Sequence, residues 1–183
     1  ITLASISFVL ILWEIFGRRI NPVFGSYPSA IAVAFWDLAI TGQLWSALYE
    51  SLRPFLLGYA LAIVVGVPLG LLIGGFRAAE AALGIYVTAG YAMPLVALVP
   101  LLILLLGLGF AVKVAVVFLM ALFPICINTW LGVVAVPKTL IEVGKSFVAP
   151  NIVILRRIVL PATLPYIMAG IRLAVGRAVV AMV

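Results

Sequence analysis

VAVVFLMALFPICINTWLGVVAV, residues Val114–Val136, runs through twenty-three positions without a charge. At about 1.5 Å per residue, a helix of that length spans the roughly 30 Å hydrocarbon core of a bilayer. Barrel strands alternate apolar and polar residues, and this run does not. Only helices and closed barrels satisfy the backbone in lipid, so the stretch reads as a membrane-spanning helix. Pro124 predicts a kink within it.

Working outward, the same pattern recurs between charged residues. Pro54–Phe76 is uncharged, with Pro68 predicting a kink. Its Gly66, Gly70 and Gly74 fall four residues apart, which predicts a smooth face for close helix contact. Ala81–Val112 is uncharged for longer than one straight helix requires. Pro94 and Pro100 divide it, predicting a short interfacial helix that enters a span near Met93–Leu106. Leu160–Val183 forms a further span carrying Arg172 and Arg177. Ile1–Trp13, continuing to Phe16 past Glu14, reads as the tail of a first span. Residues 17–53 are the most polar stretch, with loop signals at Asn21-Pro22 and Tyr27-Pro28-Ser29. Within it, Ala30–Ile40 and Leu44–Leu52 read as short helices at the interface. The expected fold class is all-α: a polytopic transmembrane helical bundle with five spans visible. Both ends lie in apolar segments, the pattern expected of a sequence cut at each terminus.

Composition agrees. Of 183 residues, 67% are hydrophobic and 9% charged, where a soluble domain has about half and about a quarter. Disorder requires the opposite balance. The net charge of +6 does not indicate nucleic acid, because the eleven Lys and Arg are scattered between apolar runs. Basic residues flanking spans are read as cytoplasmic anchors. With residues 137–157 inside, inner loops hold Arg77, Lys138, Lys145, Arg156 and Arg157, against Arg18, Arg19, Arg53 and Lys113 outside. The chain has no His and a single cysteine, Cys126. Disulfides, His–Cys metal sites and His-based catalysis are thereby excluded, and nothing marks an enzyme or a bound cofactor.

Transport against a gradient needs an energy source. Proton-driven carriers bury a carboxylate or His near mid-membrane. Glu14, Asp37, Glu50, Glu80 and Glu142 all fall in loops or near span ends. Energy is therefore expected from a partner, with an ion-coupled secondary transporter as the alternative. The chain itself is no ATPase: Gly144-Lys145-Ser146 resembles the end of a phosphate loop, but Thr139 stands where its first glycine is needed.

The polar interlude reads Pro137-Lys138-Thr139-Leu140-Ile141-Glu142-Val143-Gly144-Lys145-Ser146-Phe147, then Val148-Ala149-Pro150-Asn151, and closes on Arg156-Arg157-Ile158-Val159-Leu160-Pro161. Thr139 with Glu142 has capping-box spacing. Ile141, Lys145 and Val148 sit near one face of a short amphipathic helix, which Pro150 prevents from continuing. A helix, a turn and a second helix are predicted.

This segment resembles the cytoplasmic signature of importer-type ABC transporter permeases: Glu-Ala-Ala, three residues, Gly, nine residues, then Ile-x-Leu-Pro. Glu142, Ile158, Leu160 and Pro161 match it; Val143 and Gly144 replace the alanines, and Val148 replaces the turn-forming glycine. Tyr27-Pro28-Ser29, Ser51-Leu52-Arg53 leading to Gly58, and Gly66-Val67-Pro68-Leu69-Gly70 are similar to the nitrate/sulfonate/taurine branch. So are Pro94-Leu95-Val96-Ala97-Leu98-Val99-Pro100-Leu101, Phe123-Pro124-Ile125 with Asn128-Thr129, and Gly170-Ile171-Arg172-Leu173-Ala174.

The resemblance implies a six-span permease of the bacterial plasma membrane, with residues 1–183 one permease domain and 137–157 its cytoplasmic coupling loop. It implies two permease chains, expected as a homodimer, two ATPase chains carrying ATP and Mg, an external solute-binding protein, and a small solute such as a sulfonate, taurine or nitrate. ATPase docking is expected on Ile141, Glu142, Val143, Gly144, Lys145, Ser146, Phe147, Val148 and Ala149. Glu142 either bridges to the ATPase or caps its own helix.

Candidates for the pathway are Met93, Pro94, Asn128, Thr129 and Arg172. If its span starts at Pro161, Arg172 lies about 16 Å along it, near mid-membrane. A charge there requires a partner, met by an anionic substrate or by carbonyls freed near a kink. Arg177, about 24 Å along, is expected to snorkel outward. Asn128 and Thr129 either line the pathway or bond between helices. Met93, Pro94 and Pro100 serve equally as gate or as core filling.

Overall fold

The computed structural model describes residues 2–21 and 24–181. Pro22, and the chain ends at Ile1 and Val183, lie outside the described residues. Every regular element among them is helical. The chain divides into two compact units, Ile1–Glu50 and Ser51–Val183.

In the first unit, α1 (Thr2–Gly17) and α2 (Pro28–Ile40) are joined through polar contacts at their ends. Pro28 occupies the first turn of α2, where its missing N–H costs nothing. The Glu14 carboxylate accepts the Ser29 backbone N–H at 3.0 Å and the Ser29 hydroxyl at 2.7 Å, capping the α2 N-terminus from α1. Arg18 pairs with the same carboxylate at 2.7 Å. The Trp13 indole N–H donates to the Ser26 carbonyl. The Tyr27-Pro28-Ser29 loop signal is thus a helix entry held by Glu14.

α3 (Gln43–Gly75) is one helix of 33 residues. Sequence reading separates a short helix at Leu44–Leu52 from a span beginning at Pro54, and the structure corrects this. Pro54 lies inside the helix, its side chain fully buried. A proline forfeits one backbone bond, and burial against neighbouring helices compensates for it.

In the second unit, Phe76 is extended and breaks the chain before α4 (Arg77–Ala92). Arg77 and Glu80 therefore belong to the first turn of a helix rather than to a loop. Glu80 there complements the N-terminal dipole. A 3₁₀ turn (Leu95–Leu98) leads to α5 (Val99–Leu106), and the helices on either side of the break are bent by 90°. The break falls at Met93-Pro94, as expected of Pro94, while Pro100, expected to divide the run as well, sits in the first turn of α5. After a turn in which Gly107 adopts φ 74°, α6 (Phe110–Val134) runs unbroken through Pro124.

α7 (Lys138–Ser146) and α8 (Asn151–Ile154) form a hairpin. A π-turn (Leu155–Val159) joins α8 to α9 (Leu160–Val180), so that Asn151–Val180 is one 30-residue run. Pro161 has no N–H to bond four residues back, and the turn before it widens: Leu160 N–H reaches the Leu155 carbonyl instead. The helical run thus extends from Asn151 to Val180, with α9 itself opening at Leu160 beside the expected start at Pro161.

Among the described residues, three helices (Gln43–Gly75, Phe110–Val134 and Asn151–Val180) are long and apolar enough to cross a membrane, or four with the bent pair counted as one. α1, with 16 residues and about 24 Å of helix, is the segment read from the sequence as the tail of a first span.

α6 is the packing centre of the second unit. Gly58, Gly66, Gly70 and Gly74 of α3 each lie against it, so closely that a Cβ would meet Val117, Ile125, Thr129 and Val133 at 3.0 Å, 3.1 Å, 2.6 Å and 2.6 Å. On another side Gly170 of α9 lies against Asn128, and Gly132 of α6 receives Thr163 and Tyr166. With small residues at each crossing the backbones approach closely, which gives membrane helices the van der Waals contact that hydrophobicity cannot supply in lipid. Ala62, Val117, Ala121, Ile125, Ala174 and Ala178 make the core where α3, α6 and α9 meet. The Tyr59 hydroxyl donates to the Ile171 carbonyl at 2.6 Å, tying α3 to α9.

Candidate functional site

The hairpin is built around a glycine. A Cβ on Gly144 would stand 3.0 Å from Ile158 Cδ1 and 3.1 Å from Ile154 Cγ1, so the two limbs close directly on the α7 backbone. Ile141 and Ala149 pack against Val133, Val136, Ile154 and Val159, which fastens the hairpin to the end of α6 and the start of the last span. The Ser146 hydroxyl donates to the Glu142 carbonyl at 2.8 Å, closing the last turn.

The turn at the end of α7 has the Schellman pattern. Val148 N–H donates to the Lys145 carbonyl at 2.8 Å and Ala149 N–H to the Gly144 carbonyl at 3.2 Å. Val148 itself has φ 52°, and no other non-glycine among the described residues has positive φ. A β-branched residue in this region is strained by about 1–2 kcal/mol. The glycine expected here is absent, yet the glycine conformation is kept. Val148 has accordingly left the helix and does not share the face of Ile141 and Lys145. Thr139 does not cap α7 either: the helix starts at Lys138 after Pro137, and no side chain caps it.

Of the nine residues expected to dock an ATPase, the hairpin turns Ile141, Gly144 and Ala149 toward its own chain and exposes Glu142, Val143, Lys145, Ser146, Phe147 and Val148. Phe147 is 82% exposed and Val148 88%. Leu140, which the motif does not mark, is exposed as well. Its spacing with Val143 and Phe147 (i, i+3, i+7) was the available signal for a common apolar face. The family-motif residues divide: Glu142 faces out, Ile158 packs on Gly144, and Leu160-Pro161 opens α9 after the π-turn. Beneath the hairpin a cavity of about 640 Å³ separates Ile141 and Lys145 from Pro68, Leu72 and Phe76 at the end of α3.

The pathway candidates are dispersed. Met93 and Pro94 line a cavity of about 470 Å³ at the break after α4, together with Tyr91, Met120 and Arg177. Asn128 donates its amide to the Pro124 carbonyl of its own helix at 2.8 Å. Thr129 is fully buried against Gly70, and its hydroxyl has no hydrogen-bond partner among the described residues. Arg172 is exposed on α9 and is not among the residues lining that cavity. Arg177, expected to snorkel outward, is partly buried in the last turn of α9, its guanidinium 4.3 Å from the centre of the Tyr91 ring. Among the described residues no three Asp, Glu or Cys side chains gather where they would hold a metal ion.

These features define a polytopic helical membrane protein with an exposed helical hairpin between two crossing helices. The chain belongs to the family described as binding-protein-dependent transport system inner membrane component, whose model matches residues 66–183. It is 33% identical over 141 residues to a probable ABC transporter permease of Brucella melitensis, covering 77% of this chain and 57% of that protein. It is 36% identical over 149 residues to a putative aliphatic sulfonates transport permease of Escherichia coli, covering 81% and 57%. A formylaminopyrimidine transport permease of Halalkalibacterium halodurans is 31% identical over 173 residues, covering 94% and 69%. The chain thus spans 57% of the length of the Brucella and Escherichia relatives. These relatives are named as transport subunits, not as enzymes.

Proposed function

We propose that this chain is the membrane-spanning permease of an ATP-driven importer, residues 1–183 acting as one permease domain energised by a separate ATPase that carries ATP and Mg. The observation that carries the reading is the hairpin, an apolar face of Leu140, Val143, Phe147 and Val148 left in solvent on a scaffold fixed at Gly144. Exposed apolar side chains on a rigid scaffold are how a docking surface is built. Glu142 stands beside them without an ion pair among the described residues, available to a basic group on the partner.

The hairpin has no flexible joint to the membrane region, because α8 continues through the π-turn into α9. Movement of a docked ATPase would tilt the last span and shift its packing on α6. A switch of this kind needs two discrete packings that ATP binding biases. A second copy of the chain and an external solute-binding protein complete the proposed assembly. The proposed cargo is a small solute, an organic anion such as a sulfonate; the name of the Escherichia coli relative supports that class.

The test is gentle purification of the full-length protein from native membranes, with co-purifying chains identified by mass spectrometry. An ATPase with an intact phosphate loop is expected with the unaltered protein and is expected to be lost from a Glu142→Ala/Phe147→Ala variant. Transport driven by an ion gradient, with no ATPase recovered while a control complex survives, would replace this reading with a secondary carrier.

A further inference from the structure

Arg177 stands on α9 beside the break between α4 and the 3₁₀ turn, half-buried in a helix that crosses the membrane. Its guanidinium lies over the Tyr91 ring at 4.3 Å. A planar guanidinium laid on an aromatic face is held by its flat side, which leaves its N–H edge to bind something else. Among the described residues none of those N–H groups has a hydrogen-bond partner and no carboxylate pairs with Arg177. The residues around the cavity of about 470 Å³ include Met93, Pro94, Leu95 and Met120 but no carboxylate. Arg177 lies in the last turn of α9, where its charge meets the aqueous side and can receive an anion. The cavity has space for one.

We infer that this cavity is the seat of a small organic anion with a short apolar tail. The oxyanion group sits on the edge of the Arg177 guanidinium, and the tail lies against the Met93, Leu95 and Met120 side chains. Methionine is suited to the second task, since its unbranched polarizable thioether adapts to tails of different shape. Arginine is suited to the first, because its fork matches two oxygens of a sulfonate or carboxylate at once. Tyr91 is a positioning residue: it fixes the plane of the guanidinium and so the direction from which the anion approaches. The inference rests on the importer reading and adds to it the location and charge of a cargo subsite.

Cysteine labelling tests it. Cys126 is fully buried, so Met93→Cys or Val96→Cys supplies a reactive thiol at the cavity. The full-length protein, assembled with its ATPase in zwitterionic nanodiscs, is labelled with two methanethiosulfonates of similar size, an anionic sulfonatoethyl and a cationic trimethylammonioethyl reagent. The anionic reagent is expected to react faster, with the rate ratio falling about fivefold on Arg177→Gln and recovering in Arg177→Lys. Butanesulfonate, used as the probe, is expected to slow labelling where the neutral butyl methyl sulfone does not, and to lose this effect in Arg177→Gln. A rate ratio indifferent to Arg177 at both cysteine positions overturns the inference. So does labelling that anionic lipid slows and butanesulfonate does not, which assigns the guanidinium to a headgroup. Recovery of the ATPase is scored on the same preparation, so failure of the importer reading registers separately from failure of the anion seat.

Discussion

Gly144 and Ile158 meet across the hairpin with no side chain between them, a Cβ on the glycine falling 3.0 Å from Ile158 Cδ1. The nearest obstacles are the ends of two flexible isoleucines rather than backbone. Gly144→Ala is therefore expected to fit after shifts of a few tenths of an ångström and to gain up to about 1 kcal/mol of helix propensity. Gly144→Leu must push the limbs apart, at about 1–3 kcal/mol. Thermal unfolding in detergent and ATPase co-purification separate the two: Ala should keep both, and Leu should lose the ATPase. Equal retention in both variants would mean that the limbs are not closed on Gly144.

Val148 holds a left-handed turn that glycine would hold without strain. Val148→Gly is expected to recover about 1–2 kcal/mol of that strain, less about 0.5–1 kcal/mol of backbone entropy. The net is a small stabilisation of the hairpin, with docking retained. Val148→Ala keeps the positive φ and gains nothing. Limited proteolysis at the turn, compared across the three proteins, reads the difference; a glycine variant cleaved faster than the parent would contradict the strained turn.

At the crossing of α3 and α6, a Cβ on Gly70 would stand 2.5 Å from the Cys126 carbonyl oxygen and 2.6 Å from Thr129 Cβ. Backbone cannot step aside as a side-chain tip can. Gly70→Ala should separate the helices and cost about 1–3 kcal/mol. Gly75→Ala, which meets nothing within 4 Å, is the control. Thr129→Val should be neutral or stabilising, because it removes a buried hydroxyl that has no partner. Melting temperatures of the three variants decide; a destabilised Thr129→Val would mean that the hydroxyl is used.

Tyr59 and Ile171 tie α3 to α9 by a side chain–backbone hydrogen bond at 2.6 Å. Tyr59→Phe keeps the ring and its stacking on Phe55 while removing only that bond. Hydrogen bonds between membrane helices average about 0.6 kcal/mol and reach about 1.7 kcal/mol. A loss within that range is expected in a denaturation series, and a loss well above it would show that the ring itself has shifted.

The apolar runs made the crossing helices legible, because length without charge admits few alternatives. The hairpin was legible too, since Pro150 and the motif spacing divide residues 137–161 into two limbs. Helix boundaries at prolines were legible only in part: the break at Pro94 was, and the boundary read at Pro54 was overturned. Pro54 and Pro94 are the same residue type in apolar surroundings, yet α3 runs through the first and the chain turns at the second. What distinguishes them is tertiary: Pro54 is buried against its neighbours, whereas Pro94 lies open at a cavity. The neighbour of Arg177 was hidden for a similar reason. Depth along a helix follows from counting residues, but the face a residue occupies depends on where α4 happens to pack, and Tyr91 lies too far back in the chain for any local pattern to reveal.

The unbroken run from Asn151 to Val180 makes the last span a lever with the hairpin at its short end. From Val159 to Arg177 there are eighteen residues, about 27 Å of helix. A tilt of about ten degrees pivoting on the π-turn would swing Arg177 sideways by about 5 Å at that radius. That arc exceeds the 4.3 Å between its guanidinium and the Tyr91 ring. A push on Phe147 at one end can therefore lift the cation off its aromatic rest at the other, and the Tyr59–Ile171 hydrogen bond, about 18 Å along the same lever, must yield with it.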